Sequence, residues 1–278
     1  VSLLSRVKPL VSHVLCQRAR SSCGSLTIER KTLNFIHNNL LLLSFRKAFA
    51  TKDPRKALAK RFIRGCGIEI GALHNPLWVP PRSRVTYVDR MDENDLRRHY
   101  PELNDLPLVK VNIVDDGEKL TAFEPNSQDF IIANHFLEHT QDPIGTVRRH
   151  LEVLRPDGVL YMAVPDRRFT FDKARPESDF AHVLRDHVEG PEWSHDGHVR
   201  EFASLVMGHS GEQLESAVNG LKATNYSIHF HVWSEASFRD FLHRLIADLR
   251  LPMKIAAFVP DTPERAENIC VLRKVARA

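Results

Sequence analysis

The stretch from Cys66 to Asp89, CGIEIGALHNPLWVPPRSRVTYVD, constrains the fold more than any other part of the chain. A short apolar run ends in Glu69-Ile70-Gly71, and a second, Val85 to Val88, ends in Asp89. Both read as buried strands, each delivering a carboxylate near its C-terminal end. In open α/β sheets ligands sit beyond those ends. A carboxylate accepts two charge-assisted hydrogen bonds from a vicinal diol, which suits a nucleotide-like ligand with ribose hydroxyls. Gly71, without a Cβ, lets the backbone pass close to such a ligand. The connection from Ala72 to Arg84 is only 13 residues and contains Pro76, Pro80 and Pro81. A helical crossover normally needs about a dozen residues or more, so the first helix is expected to be shortened or replaced by a loop.

The segments that follow alternate. Asp92 to Tyr100 reads as a helix, capped by Asp92 and stopped by Pro101. Leu108–Val114 reads as a third strand and Phe130–His135 as a fourth. Ile144–Leu154 has helical spacing, and Val159–Val164 reads as a fifth strand after the turn Arg155-Pro156-Asp157-Gly158. Strands alternating with helices imply a mostly parallel sheet. Residues 166–225 break the rhythm and read as a helical insertion over the ligand cleft. Tyr226–Trp233 alternates and suits a strand or an extended lead-in. Ser234 caps a helix to about Ala247, with Phe238, Phe241, Leu242 and Leu245 on one face. Lys254–Val259 and Asn268–Arg273 read as closing strands around a hairpin-like turn. Pro54 to Arg64 reads as a short amphipathic helix, taken as a solvated lead-in.

Charge is divided along the chain. Residues 1–60 carry 12 Lys/Arg and 2 Asp/Glu, whereas the remainder carries 27 basic and 33 acidic residues. The overall +4 therefore belongs to the N-terminal segment and gives no support for a nucleic-acid-binding domain. Residues 1–53 are expected to be a poorly ordered basic extension, and 54–278 the working domain. Residues 1–28 hold no acidic residue, a composition shared by organellar transit peptides and by basic leaders. The four cysteines, Cys16, Cys23, Cys66 and Cys270, form no C-x-x-C pair. Cys66 and Cys270 read as buried thiols, and the set indicates a reducing, cytoplasmic setting. No apolar run is long enough for an integral membrane segment.

From about Gly65 to Val164 the motifs in order are Glu69-x-Gly71, the strand-end Asp89, the acidic turn Asp115-Asp116-Gly117-Glu118, and Ser127-x-Asp129-Phe130-Ile131-Ile132. They continue with Asn134-His135-Phe136-Leu137-Glu138-His139 and Leu154-Arg155-Pro156-Asp157-Gly158. This series resembles the class I S-adenosylmethionine-dependent methyltransferases, in particular the methyltransferase type 11-like group. The resemblance implies a Rossmann-like, mostly parallel seven-stranded sheet with flanking helices, an insertion after the fifth strand and an antiparallel last strand. It implies S-adenosyl-L-methionine as cofactor, held by Glu69, Gly71, Asp89, Asp116 with Asp115 as the alternative, Asn134 and His135. Ile113 or Val114 would flank the adenine. The turn departs from the family pattern, with Leu73 and His74 where further glycines are usual.

Methyl transfer is an in-line displacement that mainly requires positioning and exclusion of water, with a general base where the acceptor is a hydroxyl. The candidate bases are His139, His195 and His198. The run Asp186–Glu201 adds His187, Glu189 and Asp196, holding three His and five acids in sixteen residues, and His182 precedes it. His195-x-x-His198 with nearby carboxylates offers ligand types for a metal. Gly190-Pro191 and Gly197 secure no helical spacing there, and no metal is assigned. Asp166, Arg167 and Arg168, after the fifth strand, are candidate substrate contacts, because paired Arg suits an anionic group. The expected activity is methylation of a small-molecule or glycan-like acceptor at oxygen or nitrogen. The alternatives are a non-catalytic domain of the same fold, a metal-dependent hydrolase using the His-rich insertion, and a nicotinamide dehydrogenase, which the missing G-x-G-x-x-G disfavours.

Overall fold

A computed structural model describes residues 53–262 and 264–276. The expected N-terminal extension lies, apart from Asp53, outside the described residues. Among those described, seven strands form one sheet in the order β3-β2-β1-β4-β5-β7-β6. The strands are β1 (Cys66–Ile70), β2 (Arg84–Asp89), β3 (Ile113–Val114), β4 (Gln128–Asn134), β5 (Leu154–Pro165), β6 (Met253–Val259) and β7 (Glu267–Lys274). Strands β1 to β5 pair in parallel, and β7 runs antiparallel to both β5 and β6. This is the expected Rossmann-like sheet with an antiparallel last strand.

The helices are α1 (Pro54–Phe62), α2 (Glu93–His99), α3 (Pro143–Val153), α4 (Phe180–Glu189), α5 (Glu192–Leu205), α6 (Gly211–Ala223) and α7 (Glu235–Ala247). Their starts follow local chemistry. Asp92 accepts from Asn94 N and Asp95 N at 2.9 Å, satisfying N–H groups that a helix start leaves without partners. Ser234 and Ser237 cap α7 reciprocally, and the expected face of Phe238, Phe241, Leu242 and Leu245 is buried. Helix α3 buries Val147 and Leu151 against the central strands.

Several expectations change. No helix forms between Gly71 and Arg84, as the short Pro-rich link predicts. The third strand shrinks to Ile113–Val114. Val109 N–H is taken by Leu73 O at 2.7 Å, and the Asn112 side chain accepts from Tyr87 N at 2.9 Å, so the ladder has little backbone left to extend into. Tyr226–Trp233 is extended and makes only an isolated bridge, Trp233 with Asp166. Cys66 is exposed at the start of β1, whereas Cys270 is buried. Helix α1 is not a solvated lead-in, because Leu58, Ala59 and the following Ile63 are buried. Helix α5 runs unbroken through Gly197, so His195 and His198 do have helical spacing. Among the described residues no helix is long and apolar enough to cross a membrane.

Candidate functional site

A cleft of about 700 Å³ opens beyond the C-terminal ends of β1, β2, β3 and β4. Gly71 lines it at the end of β1 with φ +62°. Its N–H donates to Val88 O at 2.9 Å. A Cβ placed there has nothing within 4 Å, so the left-handed backbone, and not crowding, is what calls for glycine. Glu69, two residues earlier, is buried and does not line the cleft. Its Oε1 accepts from Leu77 N at 2.8 Å, pinning the loop that stands in place of the first helix. Burial pushes its pKa up to about 7, against the opposing pull of the Leu77 N–H and the Arg55 charge.

Asp89 lines the cleft from the end of β2. Its Oδ1 accepts from Arg90 N at 2.7 Å. Burial raises its pKa to about 6, with the Arg90 and Met91 N–H groups opposing. The β3 turn separates its two acids. Asp115 accepts from Asp116 N at 2.8 Å and Thr121 Oγ1 at 2.7 Å through Oδ1, and from Ala122 N at 2.8 Å through Oδ2. It builds the turn. Asp116 accepts from Glu118 N at 2.9 Å and meets Lys119 Nζ at 3.3 Å near solvent. Val114, beside them on the cleft wall, is 58% exposed, an apolar side chain facing a cavity that lacks apolar cover.

At the end of β4, both side-chain polar atoms of Asn134 are buried without partners. His135 follows with φ +49°, a conformation that non-glycine residues adopt at an energetic cost and that clusters at functional sites. Its Nε2 lies 2.8 Å from Glu267 Oε2, and its Nδ1 3.7 Å from Glu138 Oε1. Burial pulls its pKa down, but the Glu267 hydrogen bond and the two carboxylate charges raise it overall. Glu138 is fully buried with neither oxygen hydrogen-bonded, and burial pushes its pKa up. His139 lines the cleft. Its Nδ1 faces Ile228 O at 2.9 Å and Ser227 Oγ at 3.1 Å. A carbonyl only accepts, so Nδ1 carries the hydrogen and Nε2 a lone pair. Burial, then the neighbouring His229, lowers its pKa to about 3 and keeps the ring neutral.

The far wall comes from α2, the turn after it, and the end of the insertion. Tyr100 and Tyr226 pack edge to face with centroids 5.6 Å apart. Arg90 bonds Asn225 O at 3.4 Å and the Tyr100 hydroxyl. Asn225, Tyr226, Ser227 and Phe230 all line the cleft.

Other predicted residues fall elsewhere. Asp166 is fully buried and accepts from Arg168 N at 3.0 Å, Arg168 Nε at 2.9 Å and Glu235 N at 2.6 Å. It joins the start of α7 to the end of β5. Arg168 also meets Asp261 at 3.1 Å, and Arg167 bonds Lys173 O at 2.7 Å. None of the three lines the cleft: Asp166 and Arg168 are engaged at the β5–β7 end through Asn268 and Asp261, and Arg167 by the segment that follows. His195 and His198 also stand off the cleft wall, their rings 5.5 and 6.1 Å from that of Phe230. Arg55 and Glu267 escaped the sequence reading. Their ion pair spans 212 positions and leaves no local pattern. Tyr226 had a signal in the alternation of 226–233.

A family model described as a methyltransferase domain matches residues 42–245. No curated protein matches the chain by sequence. Among solved structures, the CurJ carbon methyltransferase is 13% identical with a TM-score of 0.42, over 77% of this chain and 49% of its own, so the chain spans about half that length. The Burkholderia thailandensis 1,6-didemethyltoxoflavin-N1-methyltransferase, solved with S-adenosylhomocysteine, is 13% identical over 92% and 93% with a TM-score of 0.44. An S-adenosylmethionine-dependent methyltransferase from Methanosarcina mazei is 14% identical over 77% and 94% with a TM-score of 0.40.

Proposed function

The chain belongs to the methyltransferase domain family, and from that premise we propose that it transfers a methyl group to an oxygen or nitrogen of a small-molecule or glycan-like acceptor. Its cofactor is S-adenosylmethionine. The observation that carries the reading is the placing of Asp89, Gly71 and Val114 on one cleft beyond the strand ends. The residues fit the group. Asp89 offers a carboxylate to the ribose hydroxyls, and Val114 an apolar wall for the base. Asp116, freer than Asp115, suits the adenine amino group. His135, on the cleft wall, and Asn134 behind it, with a buried amide lacking hydrogen-bond partners, are the residues proposed for the methionine end.

When bound, S-adenosylmethionine supplies an electrophilic methyl on a good leaving group. The chain's own work is to orient the acceptor and receive its proton. The cleft's far side presents Tyr100, Tyr226, Asn225 and Ser227, hydroxyl and amide groups suited to a polyhydroxylated acceptor. His139, neutral and with Nδ1–H committed to Ile228 O, keeps Nε2 able to accept a proton. A weak base suffices, because a hydroxyl becomes strongly acidic as its oxygen takes the methyl group.

Calorimetric titration of S-adenosylmethionine and S-adenosylhomocysteine into wild type and Asp89→Ala tests the reading. Loss of roughly 1.5–3 kcal/mol in the variant is expected, the scale of a hydrogen bond to a charged group. Absence of binding to the wild type overturns it.

A further inference from the structure

The insertion holds a second cluster that the cleft does not use. His182 and Asp186 come from α4, His198 from α5, and His231 from the extended segment before Trp233. One nitrogen or carboxylate oxygen of each lies within 4.8 Å of all the others. His182 Nε2 is 3.0 Å from His198 Nε2 and 3.3 Å from Asp186 Oδ2, and His231 Nε2 is 2.9 Å from the same oxygen. A tetrahedral ion with nitrogen and oxygen ligands at about 2.0–2.1 Å has ligand–ligand edges of roughly 3.3 Å. These three separations lie within a few tenths of an ångström of that figure, and the other pairs lie within 4.8 Å.

The hydrogen-bond chemistry points the same way. His231 Nδ1 lies 3.0 Å from Thr140 O. The carbonyl can only accept, so Nδ1 carries the hydrogen and a neutral ring aims a lone pair at Asp186. Asp186 Oδ1 is already held by Ser194 Oγ at 2.7 Å. His182 and His198 also face each other through ring nitrogens. His231 Nε2 and Asp186 Oδ2 thus face each other at 2.9 Å with no hydrogen between them in the neutral tautomer, and the Nε2 atoms of His182 and His198 stand beside them. Hydrogen bonds from the outer atoms of His231 and Asp186, to Thr140 O and from Ser194, are the kind of support that orients metal ligands.

We propose that His182, Asp186, His198 and His231 form a structural site for a divalent ion of the zinc class. Imidazole and carboxylate donors suit such an ion, and four protein ligands leave no open position for catalysis. The site would tie α4 and α5 to the segment that carries Phe230 into the cleft. The N–H groups of Phe230 and His231 both donate to Glu138 O, at 2.8 and 3.1 Å, so the same segment is fastened to the β4 end. The sequence by itself assigned no metal to these residues.

The test uses the untagged full chain, stripped with chelator and titrated with cobalt(II) and zinc(II). Cobalt is expected to give the visible bands of a four-coordinate ion, saturating near about one equivalent per chain, and zinc to displace it and raise Tm. His231→Ala removes a fully buried ring, so the deciding variants are His182→Ala and His198→Ala, at partly exposed positions, with circular dichroism confirming their fold. Folded variants that lose the bands support the site. A wild type that takes up neither ion, or folded variants that bind both as wild type does, overturns it.

Discussion

The Nε2 of His135 stands 2.8 Å from Glu267 Oε2, and Arg55 pairs with both oxygens of the same carboxylate. Helix α1 and strand β7, at opposite ends of the described chain, therefore hold the strained residue that follows β4 at the cleft wall.

Glu267→Gln is expected to lower the His135 pKa, read from ring-proton NMR titration. The raised His135 pKa contributes stability that is present below its ordinary 6.5 and is lost as pH rises through the raised value. Glu267, lowered to about 2 from 4.5 because the bonds from His135 and Arg55 outweigh its burial, contributes above 4.5 and loses that as pH falls toward 2. The difference in Tm between wild type and Glu267→Gln should be largest between those limits and shrink above neutrality. An unchanged His135 titration would contradict the pairing.

Glu69→Gln is expected to stabilise the cofactor-free protein at pH 8. Burial raises the Glu69 pKa from 4.5 to about 7, so stability falls as pH rises from 4.5 to 7, where the unfolded chain ionises first, and stays lowered above 7. Gln keeps an acceptor for Leu77 N and removes the charge. The gain should be on the order of 1–3 kcal/mol at pH 8 and vanish near pH 4, since each pKa unit is about 1.4 kcal/mol. Urea unfolding at the two pH values checks it, and an equal effect at both refutes it.

Asp115 and Asp116 should separate by role. Asp115→Ala leaves Asp116 N, Thr121 Oγ1 and Ala122 N without their acceptor and should cost about 1–3 kcal/mol in stability. Asp116→Ala, near solvent, should change stability by less than about 0.5 kcal/mol yet weaken S-adenosylhomocysteine in calorimetry. A reversal of the two phenotypes would show that Asp115 is the cofactor contact.

Val114→Ser should leave Tm nearly unchanged, because the side chain is largely exposed. It should weaken S-adenosylhomocysteine by roughly 3- to 20-fold, the scale of lost apolar cover. Undiminished affinity would place the adenine elsewhere.

Arg175→Met should be severely destabilising. Arg175 is 1% exposed and binds Asp172 at 2.9 Å, Glu201 at 2.7 Å and His229 O at 2.8 Å. Its removal leaves Asp172 buried without that partner, a loss of about 3–5 kcal/mol. Chemical denaturation checks it, and a loss below about 1 kcal/mol would show that the network is slack.

What could be read from the sequence alone was local. Alternating strands and helices, the missing helix after Gly71, the Asp92 and Ser234 caps and the buried face of α7 all follow from period and turn chemistry within a dozen residues. The strand-end acids were legible because each closes its own apolar run. The tertiary structure decided which polar groups meet. Arg55 reaches Glu267 across 212 positions. Asp166 is absorbed into the α7 start. His182, Asp186 and His198 gather around His231, 33 positions beyond His198. A charged or imidazole side chain carries no local mark of its partner, and burial, which selects the partner, is set only when the sheet and insertion close on each other.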